Sequence, residues 1–237
     1  MTITPKRILM IGGSSGIGLQ IVNRLIEAGD EVHVACRNAE PLEGLNVTTQ
    51  RFDALDPDAT LSVPESLDGL VYLPGSINLK PFHRLSSSEF MTDMEINYFG
   101  AIRALKQALP ALKRSNEANA SVVLFSSVAA TTGMPFHASI GAAKAAVEGL
   151  GRALAAEWAP KIRVNVLAPS LTNTPLASSF FSTEDRIASA AKRHPLDRLG
   201  SPEEAAGLVT FLLSNDAAFM TGQVLNCDGG LSSVRQF

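Results

Sequence analysis

Only two cysteines occur in 237 residues, Cys36 and Cys227, and neither sits in a spacing that a metal site or a disulfide framework would use. The pair suits a reducing cytoplasm, although two buried thiols would look the same. An excess of one charge is also missing. Lys and Arg number 20 against 23 Asp and Glu, for a net charge of −3. No basic run marks a nucleic-acid footprint, so no nucleic-acid partner is expected. The first apolar run, "RILMIGG", is too short to cross a bilayer and lacks a cleavage-type end. No membrane partner and a cytoplasmic location are the expectation. Repeats and low-complexity segments are absent too. What is left, 46% apolar and 18% charged residues, describes one globular domain over residues 1–237 with a large buried core.

Short β-branched apolar runs alternate with longer helical patterns. The predicted strands are Arg7–Ile11, Glu31–Ala35, Val47–Phe52, Gly69–Leu73, Ser121–Phe125, Ile162–Leu167 and Gln223–Cys227. Between the first two, Leu19, Val22, Leu25 and Ile26 form an apolar stripe at helical spacing, which predicts a helix over Gly18–Ala28. Such alternation implies an α/β fold: a Rossmann-type, doubly wound parallel sheet of about seven strands with helices on both faces. Ligands of such sheets bind at the carboxyl ends of the strands, near the switch in strand order. Residues 53–66, with two prolines and several acids, read as loop with at most a short helical turn.

After the first strand comes "GGSSGIG". Gly12 allows a tight turn, Gly16 leaves room for a pyrophosphate, and Gly18 permits close helix–strand packing. The helix behind it offers amide donors and a partial positive charge. The spacing differs from GxGxxG, and a tight strand-to-helix turn is the bland alternative; its place after the first strand favours phosphate binding. The second strand discriminates between dinucleotides. It carries no acid at 35–36 for ribose hydroxyls, and Arg37 follows at once, suited to a 2′-phosphate. NADP(H) is therefore preferred over NAD(H), with a solvated loop charge as the other account of Arg37.

The ordered motifs "IGGSSGIG", "RFDALD", "INYFG", "VVLFSSVAA", "IRVNVLAPSLTNTPL" and "RLGSPEEAAGLVTFLLSNDAAFMTGQVLNCDGG" resemble the short-chain dehydrogenase/reductase family along nearly the whole chain. The resemblance implies an NAD(P)-dependent oxidoreductase. Its cofactor contacts would be Gly12, Ser14, Ser15, Gly16, Ile17, Gly18, Arg37, Asp53, Ala54, Pro74, Gly75, Lys144, Pro169, Thr172 and Thr174, with Asp53 at the adenine. It also implies catalytic roles for Ser127, Lys144 and Asn97, and a substrate lid within 171–198. Ser170 stands where a glycine is common. Taken singly, Ser127 could merely cap a turn and Asn97 merely bond nearby backbone.

Three departures from the family pattern stand out. "YLPG" (Tyr72–Gly75) replaces its NNAG, so packing is expected to take over the sheet-stabilising role of the lost asparagine. The span between Asp53 and Asp68 is short, which predicts a truncated third covering helix. Most consequential is "HASIGAAK": the tyrosine expected four residues before Lys144 is Ile140. In the family that phenol transfers the proton, a lysine lowers its pKa and binds the nicotinamide ribose, a serine holds the carbonyl oxygen, and an asparagine anchors a water relay.

Three accounts compete. His137 stands seven residues before Lys144, on the same face if the segment is helical. Enoyl-thioester reductases of the superfamily place a tyrosine there, so His137 is a candidate proton donor toward a carbonyl or a conjugated C=C; a polar residue at a helix entrance is its bland account. Alternatively, Ser127, Lys144 and a water give slow carbonyl reduction. Or the chain binds dinucleotide without turnover, as a sensor or assembly partner. Tyr98 is expected to be packed, and Tyr72 to line the adenine side. Phe180 and Phe181 suggest an apolar substrate wall, with Lys192, Arg193 and Arg198 as a possible basic patch for a thioester carrier. The Ala- and Gly-rich helix from about Ile140 to Trp158, together with the family resemblance, implies a homotetramer or homodimer.

Overall fold

The computed structural model describes residues 5–235. Seven strands form one sheet: β1 (Arg7–Ile11), β2 (Glu31–Cys36), β3 (Val47–Arg51), β4 (Gly69–Tyr72), β5 (Ala120–Phe125), β6 (Ile162–Pro169) and β7 (Val224–Cys227). All neighbours run parallel in the order β3-β2-β1-β4-β5-β6-β7, so the order reverses between β1 and β4. Each predicted strand exists, β1 with the ends predicted and the others with ends displaced by no more than two residues. The largest extension is in β6, which continues to Pro169 by pairing with Cys227.

Among the described residues six α-helices cover the sheet: α1 (Gly16–Glu27), α2 (Ser87–Met94), α3 (Gly100–Leu112), α4 (Ala138–Trp158), α5 (Glu184–Ala191) and α6 (Pro202–Leu213). Alternation along β1 shows why both faces need cover. Leu9 and Ile11 join the core under α3 and α4, whereas Ile8 and Met10 join the core under α1 and α6, all fully buried. Helix α6 starts at a capping box in which Ser201 accepts from the Glu204 amide and Glu204 accepts from the Ser201 amide, with Pro202 in the first turn. Helix α1 begins at Gly16, two residues earlier than its apolar stripe predicts, because the glycine turn itself feeds the first helical turn.

Between β3 and β4 the described residues contain turns and no helix, so the third covering helix is absent rather than shortened. Residues Glu95–Phe99 form a π-helical segment that joins α2 to α3. Beneath it lies Tyr72. This residue is 2% exposed, and its hydroxyl donates to the Ile96 carbonyl at 2.6 Å. Two expectations are thereby corrected. The lost asparagine is replaced by a phenol hydrogen bond as well as by packing, and Tyr72 sits in the core instead of lining the cofactor side. Among the described residues no helix is long and apolar enough to cross a membrane.

Candidate active site

A cavity of about 520 Å³ follows the carboxyl ends of the strands across the β1/β4 reversal. Every residue named above for the dinucleotide lines it, as do Ser127, His137 and Ile140. At one end, Gly12 takes a left-handed φ of 78° and turns the chain out of β1. A Cβ on Gly18 would lie 2.8 Å from the Gly13 Cα, so α1 rests directly on the turn backbone. Arg37 is exposed at the end of β2, and Asp53 caps its own turn by accepting from the Leu55 amide at 3.0 Å.

The other end is built around Lys144, on α4 and only 7% exposed. Its Nζ donates to the Phe125 carbonyl at 2.9 Å. Burial pulls its pKa down from 10.5 to about 8, against the opposing pull of the Asp93 carboxylate. Asp93 itself is 1% exposed and accepts from Ser76 Oγ and Ser139 Oγ, each at 2.6 Å. Asn97 lies behind the wall rather than on it, held by the π-helical segment. Its Nδ2 donates to the Asp93 carbonyl at 2.8 Å and to Ser76 Oγ at 3.1 Å, while its buried Oδ1 finds no partner within the protein. A methyl group on Gly75 would sit 3.2 Å from that Oδ1 and 3.3 Å from Lys144 Nζ, so the two polar atoms border the same small space.

Ser127 follows β5, caps the next turn and accepts from the Ala129 amide at 3.2 Å. Its capping and functional roles are compatible, because the hydroxyl proton stays available. Neighbouring Ser126 donates its hydroxyl to buried Glu148 at 2.8 Å. Ile140 is 5% exposed beside the cavity. His137 occupies the N-cap of α4 (φ −100°, ψ 16°), one position outside the helix. Its half-buried ring pairs Nδ1 with the Pro135 carbonyl at 2.7 Å; a carbonyl only accepts, so Nδ1 carries the proton and Nε2 is left open. The shared-face geometry expected for a helical His137 is therefore altered, although its ring still borders the cavity.

Neither phenol lines the cavity: Tyr72 is buried, with burial raising its pKa, and Tyr98 packs edge-on against Phe99 at 5.2 Å. Phe180 is on the wall and Phe181 is not. Of the three basic lid residues, Arg193 alone borders the cavity; Arg198 is paired with Glu204 at 2.8 Å. Sequence reasoning missed Asp93, Ser76 and Ser139, which meet only through the fold. It also missed His194, 3% exposed, whose Nε2 lies 2.9 Å from Ser170 Oγ. The one available signal was Ser170 in a glycine position.

With this geometry in hand, likeness to known proteins is decisive. The family model described as Enoyl-(Acyl carrier protein) reductase matches residues 12–232. The chain belongs to the short-chain dehydrogenase/reductase family of oxidoreductases. A tropinone reductase homologue of Arabidopsis thaliana is 34% identical over 94% of this chain and 92% of that protein. The ligand-free aldohexose dehydrogenase of Thermoplasma acidophilum superposes with a TM-score of 0.88 at 29% identity, covering 98% of this chain and 96% of that one. A gluconate 5-dehydrogenase from Burkholderia cenocepacia, in complex with NADP and tartrate, gives a TM-score of 0.86 at 25% identity over 98% and 97% of the two chains.

Proposed function

We propose that this family member is an NADP(H)-preferring reductase acting on the carbonyl or conjugated C=C of a small apolar substrate. One observation carries the proposal: a single cavity has the glycine turn and Arg37 at one end, and Ser127 and Lys144 at the other. The residues fit a dinucleotide. The turn leaves no room for side chains where the phosphates would lie, an exposed guanidinium follows β2, and an unpartnered carbonyl oxygen, Asn97 Oδ1, borders the lysine. The NADP complex of the gluconate 5-dehydrogenase supports the choice of cofactor.

The dinucleotide, when bound, supplies a hydride. Ser127 would donate to the substrate oxygen and polarise it. Lys144 would hold the nicotinamide ribose, and Asn97 Oδ1 would accept from a water placed between it and Lys144 Nζ. Ile140 can transfer no proton, so His137 takes that role, with Nε2 as the exchanging nitrogen. Ile77, Leu79, Met134 and Phe180 make the substrate wall apolar. The cytoplasmic location and an assembly of two or four copies belong to the same proposal.

The experiment is a fluorescence titration with NADPH and NADH. Binding of NADPH at micromolar concentration, weakened about tenfold or more in Arg37→Ala with NADH unaffected, is the expected result. Absence of binding for both at millimolar concentration refutes the proposal, and equal weakening of both removes the assignment of Arg37.

A further inference from the structure

The connection from β3 to β4 has no covering helix of its own, yet it carries the turn expected at the adenine. Asp53, Ala54 and Leu55 all line the cavity, and Ala54 is only 6% exposed. What holds this turn is one face of α3. Gly100, Arg103 and Gln107 stand at i, i+3 and i+7, the spacing of a helical stripe. At Gly100 the helix rests on the turn backbone, since a Cβ there would lie 3.2 Å from the Ala54 carbonyl oxygen. Gln107 takes the far end: its Oε1 accepts from the Leu61 amide at 2.8 Å, and its Nε2 donates to the Ala59 carbonyl at 3.1 Å. Between them the Arg103 guanidinium donates from one terminal nitrogen to the Ala54 carbonyl and from the other to the Glu95 carboxylate. Its Nε is buried with no acceptor among the described residues, so the fork is spent on those two partners at the cost of the third direction.

We infer that Arg103, braced by Glu95, is the positioning residue of the adenine end and takes over the work of the missing covering helix. The inference rests on the proposed dinucleotide reading. A hydrogen bond from a charged donor fixes the Ala54 carbonyl, and with it the peptide planes that carry the Asp53 side chain into the cavity. Glu95 holds the guanidinium in that direction from the π-helical segment. Turns of this kind recur at functional sites, and here three consecutive residues serve one cavity: Glu95 pairs with Arg103, Ile96 lines the wall, and Asn97 borders the space beside Lys144. Asn97 keeps its own bonds to Asp93 and Ser76, so loss of Arg103 is felt at the adenine end alone.

Two fragments of the cofactor read the two ends separately: 2′,5′-ADP, followed by calorimetry, and reduced nicotinamide mononucleotide, followed by its own fluorescence. Arg103→Met should bind 2′,5′-ADP about ten- to a hundredfold more weakly than wild type, the worth of one hydrogen bond from a charged donor, with the mononucleotide within about twofold. Arg103→Lys keeps the charge and loses the fork, so its 2′,5′-ADP affinity should fall between the two; it carries the test if Arg103→Met does not fold. Without any ligand, amide hydrogen exchange should quicken at residues 53–61 in the variants and stay unchanged in β4 and β5. Unchanged affinity for 2′,5′-ADP, equal loss of both fragments, or unchanged exchange at 53–61 each overturns the inference. Wild type that binds neither 2′,5′-ADP nor NADPH refutes the dinucleotide reading and the adenine role with it, while the exchange result still reports whether Arg103 holds the turn.

Discussion

Lys144→Met removes a buried ammonium while keeping an unbranched chain in the same slot. Burial lowers the lysine pKa from 10.5 to about 8. That drop of about 2.5 pH units, at about 1.4 kcal/mol each, is a penalty on the folded state of roughly 3 kcal/mol at neutral pH. The substitution also strands the Phe125 carbonyl, which returns about 1–2 kcal/mol. At pH 7 the variant should therefore be the more stable protein by about 1–2 kcal/mol, while losing most of its NADPH affinity. The sign of the pH dependence follows from linkage. Below about pH 8 both the folded and unfolded lysines are protonated and wild type carries the whole penalty. Between about 8 and 10.5 the folded lysine is neutral and the unfolded one charged, so the penalty fades. Urea unfolding of both proteins from pH 7 to 10.5 should show the advantage of Lys144→Met shrinking and then reversing. A variant less stable than wild type at pH 7, or a difference that ignores pH, would refute the claim that burial governs this lysine.

Asp93→Asn removes the anion that raises the Lys144 pKa, so the pH above which NADPH binding weakens should move down from about 8; an unmoved binding profile argues against the coupling. His137→Ala should slow NADPH oxidation with 2-cyclohexenone or crotonyl thioester by about 10²- to 10⁴-fold, and full activity in the variant removes His137 as donor. Tyr72→Phe should cost about 1 kcal/mol in chemical denaturation by freeing the Ile96 carbonyl; no change would mean that packing alone holds this position.

Local pattern carried the sheet well, because each strand is a short apolar run whose partners are parallel and buried on both faces. That the residues expected at the cofactor line one cavity has a related reason: most lie in turns directly after strands, where topology leaves them few places to go. The misses are long-range. Ser139 finds Asp93 across 46 positions and Tyr72 finds Ile96 across 24, and no periodicity encodes either meeting. The Ser170–His194 contact spans 24 positions and depends on where the lid comes to rest. The same-face angle for His137 changed for a more local reason: helical angle counting applies within α4, and the residue stands just outside it.

The strand order has a consequence for how the chain unfolds. Among the described residues, β1–β3 pair with one another and β4–β7 pair with one another, and the β1–β4 ladder alone joins the two halves. The cavity lies across that seam, with Gly12, Arg37 and Asp53 on one side and Ser127, Lys144 and Pro169 on the other. A dinucleotide bound there bridges the two halves and resists their separation. At a hundred times its dissociation constant it would add about 2.7 kcal/mol to the folded state. Protease susceptibility of the Asp53–Asp68 connection, which contains no helix of its own and is held to α3 through Gln107, should fall in step with that gain, making cleavage in the loop a gauge of how firmly the two halves are held.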